Sequence, residues 1–151
     1  MTMKKLLLLM AIGIMGCGFG GKELKDIVSY EYSYRACMMH PLYTYLVQKD
    51  EEGRQTLVWT KLDGVEHTVL LEEDVLGEID RLAREHKLSR MKESYYPHMD
   101  IRDGYTWDIR IRYGNGRIYS HGQNAYPRQL QRDGIKAIND YLESFLPKKE
   151  D

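Results

Sequence analysis

A serine, a histidine and two amides occur together in Ser120-His121-Gly122-Gln123-Asn124, and these residue types can support nucleophilic attack and proton transfer. The surrounding pattern is that of a strand, in which neighbouring side chains point to opposite faces, so Ser120 and His121 are not expected to contact each other. A hydrolase would therefore need His121 with an aspartate from elsewhere; the candidates are Asp100, Asp103 and Asp108. The favoured interpretation is structural: Asn124 fixes a turn through side-chain hydrogen bonds, and Tyr126 packs where the next helix begins.

Two arginines, Arg110 and Arg112, are spaced to share the exposed face of one strand. Charges in this position discourage edge-to-edge association of sheets, which is the favoured explanation. The alternative is contact with an anion or a glycan, assisted by neighbouring tyrosines. The predicted binding residues are Arg110, Arg112, His121, Asn124 and Tyr126, and no catalytic residue is predicted.

Soft metal ligands are concentrated in Cys37-Met38-Met39-His40, and His98-Met99 follows later in the chain. Thiolate, thioether and imidazole groups suit Cu(I), so copper binding is one hypothesis. Adjacent residues of an extended chain cannot all face one ion, however, and an irregular connection between strands is favoured. The chain has no Cys-x-x-Cys, His-Glu-x-x-His or glycine-rich phosphate loop, so no cofactor is predicted.

The candidate residues are positioned by the stretch from Arg102 to Tyr126. Apolar and polar residues alternate from Tyr105 to Tyr113, as in a strand with one buried and one exposed face. Gly114-Asn115-Gly116 provides a turn, after which the chain returns through His121. This stretch therefore predicts a β-hairpin.

The rest of the chain supplies the remaining elements of one domain, residues 27–147. Four earlier strands are predicted at 27–36, 42–49, 56–62 and 65–71, with Asp63-Gly64 turning the second hairpin. A helix is predicted from the acidic residues 72–74 to Lys87, residues 89–103 form a long loop, and a last helix begins at Pro127 or Asp133. Its apolar stripe is Leu130, Ile135, Ile138, Leu142 and Phe145. The order ββββαββα predicts an α+β fold: a single antiparallel sheet of about six strands with two helices packed on one face.

The N-terminus has the features of a targeting signal. Lys4-Lys5 precede an apolar run that ends at Met15 and is far shorter than the roughly 20 residues of a spanning helix, so residues 1–16 are predicted as a signal peptide. Ile14-Met15-Gly16-Cys17 resembles the lipobox of bacterial lipoproteins. This resemblance implies that Cys17 carries lipid and that residues 17–26 form a lipidated, flexible tether to the membrane. An ordinary cleaved signal is the alternative.

The same resemblance implies a location in the cell envelope, at the outer membrane or cell surface, with the periplasmic side left open. With Cys17 lipidated, Cys37 is a lone thiol and is expected to be buried. Without lipid, the two cysteines could pair in an oxidising compartment.

A second resemblance covers most of residues 28–146. The residues that carry it are Asp103-Gly104-x-x-Trp107, Ile109-x-Ile111-x-Tyr113-x-x-Gly116, Gly122-x-Asn124-x-Tyr126-Pro127 and Met38-Met39-x-Pro41-x-Tyr43-x-Tyr45. This pattern is similar to that of a family of small, functionally uncharacterised proteins of gut-type bacteria. The resemblance implies a shared fold and implies no known activity.

Composition narrows the function further. A formal net charge of −1 gives no bulk attraction to nucleic acid. The 12 tyrosines against 2 phenylalanines suit half-buried sheet faces and, secondarily, a binding surface. We expect a non-catalytic binding or interaction module, anchored through Cys17, with an envelope protein or a glycan as partner. A small envelope hydrolase using His121 and, with less support, a copper-binding protein are the alternatives.

Overall fold

The computed structural model describes residues 22–36 and 43–148, so Cys17, Cys37 and the Met38-Met39-His40 cluster lie outside the described residues. The described strands are β1 (Ile27–Ala36), β2 (Tyr43–Lys49), β3 (Gln55–Thr60), β4 (Glu66–Leu71), β5 (Ser94–Tyr95), β6 (Tyr105–Tyr113) and β7 (Gly116–Gln123). The helices are α1 (Val75–Glu85), a short 3-10 helix (Leu88–Arg90) and α2 (Gln129–Glu143).

All of these strands belong to one sheet with the spatial order β4-β3-β2-β1-β6-β7-β5. The α+β class and the two predicted hairpins are confirmed, but the described sheet has seven strands rather than about six. The additional strand is β5, which pairs in parallel with β7 through Ser94 and Tyr95. Two residues are too few to show an alternating pattern, and residues 89–103 therefore looked like a loop.

One face of the sheet carries the core. Alternating residues of the long strands are buried there beneath α1 and α2, including Tyr30, Val47, Leu57, Trp107, Ile109 and Ile111. The opposite face, called the outer face below, carries Glu31, Asp108, Arg110, Arg112 and His121. This division follows from the period of two that the sequence showed in β1 and β6.

Helix α1 begins at Val75, directly after the acidic residues 72–74, as predicted. The Asp74 carboxylate accepts a hydrogen bond from the Gly77 backbone N–H at 3.0 Å, and the predicted apolar face is buried. Helix α2 begins at Gln129, soon after Pro127, so the later start at Asp133 is wrong. Ile135, Ile138 and Leu142 are buried as expected, but Leu130 is 43% exposed because it lies in the first turn of α2.

The chain before β1 contacts the turn between β6 and β7. The Asn115 side chain accepts a hydrogen bond from the Lys25 N–H and donates one to the Glu23 carbonyl. Leu24 packs over Gly116 so closely that a Cβ there would lie 2.7 Å from Leu24 Cδ2. The last residues of the predicted tether therefore lie against the domain at one end of the sheet, called the N-terminal end below.

Candidate functional site

Two helices do not cover the whole length of the strands. Gln55 of β3 and Tyr113 of β6 both contact α1, through Asp74 and Asp80 respectively, so α1 runs across the strands. Two packed helices cover about 20 Å, whereas ten-residue β1 extends for about 33 Å. The end of the helix-bearing face farthest from Ile27 is therefore left uncovered.

Five tyrosines, called the tyrosine row below, lie toward this end, where Tyr45 is buried against Glu143 of α2 and Tyr126 is exposed. They are Tyr34 of β1, Tyr43 and Tyr45 of β2, Tyr105 of β6 and Tyr126 before α2. Their rings contact one another in sequence, at centroid distances of 5.7 Å for Tyr43–Tyr45, 5.3 Å for Tyr34–Tyr43, 5.9 Å for Tyr34–Tyr105 and 4.8 Å for Tyr105–Tyr126. Because each ring contacts the next, the row forms one continuous aromatic cluster.

A groove of about 860 Å³, called the tyrosine groove below, lies between the aromatic side chains of the sheet and α2. Three members of the tyrosine row, Tyr43, Tyr45 and Tyr126, line it, whereas Tyr34 and Tyr105 pack behind them. Tyr32, Tyr43, Tyr45, Trp107 and Tyr126 supply its aromatic side. Helix α2 supplies the facing wall, which is polar except for Ile135; its other residues are Gln129, Arg132, Asp133, Lys136, Asn139, Asp140 and Glu143. Lys61 and Leu62, in the turn after β3, close one end.

The charges around this groove are matched with one another. Lys61 lies 3.1 Å from the Glu143 carboxylate, and Lys136 pairs with Asp140. The Arg132 guanidinium lies 4.4 Å from the centre of the Tyr126 ring, in a cation–π contact. The groove is therefore an aromatic surface with a polar rim and no strong excess of either charge.

Burial affects the ionisable groups that border the groove. It raises the pKa of the Glu143 carboxyl even though the Lys61 ammonium is close, and the Tyr45 hydroxyl donates a hydrogen bond to this carboxylate. Burial also raises the pKa of Tyr43 and of Tyr126. The tyrosines therefore present neutral hydroxyl groups, which can both donate and accept hydrogen bonds.

Of the predicted binding residues, Tyr126 lines the groove and Asn124 supports it. The Asn124 side-chain oxygen accepts a hydrogen bond from the Tyr105 backbone N–H at 2.8 Å, and the Asn124 backbone adopts a φ of 52°. A Cβ at Gly104 would lie 1.5 Å from the same oxygen, which explains the glycine there. Asn124 therefore fixes the turn that brings Tyr126 over Tyr105, and its own contacts are with backbone groups.

The other three predicted residues lie on the outer face, so the five do not form one site. Arg110 pairs with Glu31 at 3.2 Å and lies over the Tyr119 ring. Arg112 is exposed and stands directly opposite Arg117 in the neighbouring strand. Both arginines are separated from the tyrosine groove by the thickness of the sheet.

His121 and Asp108 are cross-strand neighbours on that outer face, as the hydrolase hypothesis required. The Asp108 carboxylate, however, accepts its hydrogen bond from the Ser33 hydroxyl at 2.5 Å, whereas His121 Nε2 contacts the Tyr96 hydroxyl at 3.1 Å. His121 Nδ1 is buried without a partner among the described residues. Ser120 is buried on the opposite face, as expected, and donates to the Lys92 carbonyl. This geometry provides no contact between a nucleophile and its base.

Within residues 22–36 and 43–148, no three His, Cys, Asp or Glu side chains are grouped so that they could hold a metal ion. None of the helices in the same residues is long and apolar enough to span a membrane. No protein-family model matches the chain, and no curated protein matches it. The resemblance to a family of small proteins of gut-type bacteria therefore stays a prediction.

Sequence reasoning missed most of the groove, although two signals for it were present. Tyrosines on alternate positions of β1 and β2 indicated one tyrosine-rich face, which was interpreted first as ordinary strand composition. The second signal was the polar face of α2, where residues recur at intervals of three and four. Only the three-dimensional arrangement shows that the tyrosine-rich face of the sheet and the polar face of α2 lie against each other.

Proposed function

We propose that this chain is a lipoprotein of the bacterial cell envelope, anchored through Cys17, whose domain binds a neutral glycan in the tyrosine groove. The observation that carries the binding proposal is the tyrosine groove itself, with aromatic side chains on its sheet side and polar side chains of α2 facing them. The anchoring proposal is supported by the sequence Ile14-Met15-Gly16-Cys17 after a short apolar run. No enzymatic activity is proposed.

The groove has the chemistry that sugar rings require. A pyranose presents flat C–H surfaces, which stack on aromatic rings, and hydroxyl groups at its edges, which bond to amides and carboxylates. Tyr126 is 36% exposed, and a sugar that stacks on its ring would take the place of the Arg132 guanidinium, because the other ring face packs on Tyr105. Asn139 and Asp140 offer polar atoms on the facing wall. Aromatic and polar groups thus lie on opposite sides of one groove.

Charge favours a neutral ligand over an ionic one. A charged ligand would have to compete with the Lys61–Glu143 and Lys136–Asp140 pairs, and separating such pairs costs binding energy. A hydroxylated ligand can instead bond to these side chains while they remain paired. The volume of about 860 Å³ lies within the range of about 300–1,000 Å³ typical of small-molecule sites, which accommodates a short oligosaccharide.

Calorimetric titration with neutral oligosaccharides tests the ligand class. The probes are the tetramers of N-acetylglucosamine, of β-1,4-linked glucose and of α-1,4-linked glucose. At least one is expected to bind, and Tyr126→Ala is expected to weaken that binding about tenfold, equivalent to about 1.4 kcal/mol. Tyr126→Phe keeps the ring and is expected to retain affinity within about threefold, since stacking rather than the hydroxyl dominates.

Tyr96→Ala is the matched control, because Tyr96 is 60% exposed and contacts His121 rather than the groove. Its affinity should equal that of the unaltered chain. Binding that survives Tyr126→Ala in a folded protein would contradict the site. If no probe binds and one specific protein is recovered by crosslinking at Tyr126, the ligand of the groove is a protein partner rather than a glycan.

The anchor is tested separately in cells. Metabolic labelling with a radioactive fatty acid and membrane fractionation should show lipid on the full chain and its recovery in membranes. Cys17→Ser should abolish the label and release the protein into the soluble fraction. Recovery of the Cys17→Ser chain without label but still firmly in membranes would contradict anchoring through this residue.

A further inference from the structure

A second groove, of about 840 Å³, lies at the N-terminal end of the sheet, and it is called the basic groove below. It is bordered by the segment before β1, the end of α1, the 3-10 helix and the start of β7. Its basic residues are Lys22, Arg84, Arg90 and Arg117, against the acidic residues Glu23 and Glu93. Unlike the tyrosine groove, it therefore has an excess of positive charge.

Most of this positive charge is not neutralised. Arg84 pairs with Asp80 at 2.9 Å and lies 3.8 Å from the Glu23 carboxylate. Lys22, Arg90 and Arg117 make no ion pair with any residue in the described part of the chain. Arg117 also stands directly opposite Arg112 across the strands, an arrangement that is unfavourable for stability. The fold itself therefore gives no reason for these charges to be gathered here.

The predicted lipid lies next to this groove in the sequence. Four residues separate Cys17 from Lys22, which borders the groove, so even a fully extended connection spans only about 17 Å. Electrostatic attraction to an anionic membrane acts over about 8–10 Å at physiological salt. A chain anchored at Cys17 could thus bring the basic groove within that range.

We infer that the basic groove, extended by Arg112, docks on the anionic phospholipid headgroups of the membrane. This inference rests on the proposed function only for the position of the anchor. In the docked state the tyrosine groove lies at the end of the sheet away from the bilayer. Tyr43, which lines it, pairs with Tyr34, and Tyr34 is seven residues beyond Ile27 along β1, a distance of about 23 Å. The glycan site would therefore be open to the space beyond the membrane surface.

Vesicle sedimentation tests this docking without the lipid anchor. The protein is the chain from residue 17 with Cys17→Ser, which retains every described residue. It should sediment with vesicles of phosphatidylglycerol mixed with phosphatidylcholine, and not with phosphatidylcholine alone, and high salt should release it. Arg90→Gln with Arg117→Gln should lower the partition coefficient about 25-fold, because each basic residue near the surface contributes about fivefold.

Arg35→Gln with Arg102→Gln is the control, because it removes the same charge. Arg35 lies at the end of β1 opposite Ile27, and Arg102 lies in the loop before β6. This variant should change the partition coefficient less than about twofold. An equal loss in both variants, or equal sedimentation with both vesicle types, would overturn the docking surface.

Failure of this test can be distinguished from failure of the proposed function. The vesicle assay contains no glycan and no lipidated cysteine, and the glycan titration contains no membrane. Loss of Arg117 should not unfold the domain, since it relieves the repulsion with Arg112. Thermal unfolding of each variant confirms this before sedimentation.

Discussion

A buried hydrogen bond joins the centre of the sheet to the helix that forms the wall of the tyrosine groove. The Tyr30 hydroxyl donates to the Asn139 side-chain oxygen at 2.7 Å, and Tyr30 is 0% exposed, whereas Asn139 is half-buried. Tyr30→Phe removes the donor and leaves an acceptor that water can reach, so it should cost about 1 kcal/mol. Asn139→Ala leaves a buried hydroxyl without an acceptor and should cost about 2 kcal/mol.

Urea unfolding monitored by circular dichroism measures both changes and their combination. The double variant should cost about 1 kcal/mol less than the sum of the single variants, because the second change removes a group that is already unpaired. Asp140→Ala, at the neighbouring exposed position, controls for altered helix propensity, because the ion pair that it removes, with Lys136, is exposed and contributes little. Additive effects within about 0.3 kcal/mol, or a larger cost for Tyr30→Phe than for Asn139→Ala, would refute this reasoning.

Three further substitutions test the structure at other places, each by urea unfolding. Hydrogen bonds from the Gln55 side chain and the Gly77 N–H hold the pKa of the Asp74 carboxyl below its usual 3.8. The ionised carboxylate therefore stabilises the fold above pH 3.8, and this contribution is lost as the pH falls through the lowered pKa. Asp74→Ala should therefore cost about 1 kcal/mol at pH 6, and an undiminished difference at acid pH would contradict this. Gln131→Met should raise stability by about 1 kcal/mol, because the buried Gln131 Oε1 has no partner among the described residues; a loss of stability would show that this oxygen is satisfied. A Cβ at Gly122 would lie 2.3 Å from Trp107 Nε1, so Gly122→Ala should cost about 2–3 kcal/mol, and a neutral result would show that this part of β7 can shift.

The elements with long, regular patterns could be predicted from the sequence. Alternation from Tyr105 to Tyr113 identified β6, and the spacing of Val75, Leu76 and Ile79 identified α1. Strand β5 could not be predicted, because two residues carry no periodicity and its pairing with β7 depends on contacts distant in sequence.

The site was harder to predict than the fold. Arg110, Arg112 and His121 are close to Tyr126 in sequence, and this proximity suggested one binding surface. The pleat of the sheet instead places them on the outer face, while Tyr126 lies with α2 on the other. Tyr43 and Asn139 lie far apart in the chain and share no local pattern, so their meeting in one groove depends on strand order.

The two tryptophans provide the most direct test of glycan binding in the tyrosine groove. Trp107 lines the groove and its indole N–H donates to the Ala125 carbonyl at 2.8 Å, whereas Trp59 is buried in β3 beside His67 and does not line the groove. Nuclear magnetic resonance resolves both indole N–H signals during titration with the N-acetylglucosamine tetramer and the two glucose tetramers. The proposal predicts that at least one sugar shifts the Trp107 signal progressively and leaves that of Trp59 in place. A Trp107 signal that stays unchanged with every sugar would contradict glycan binding in this groove.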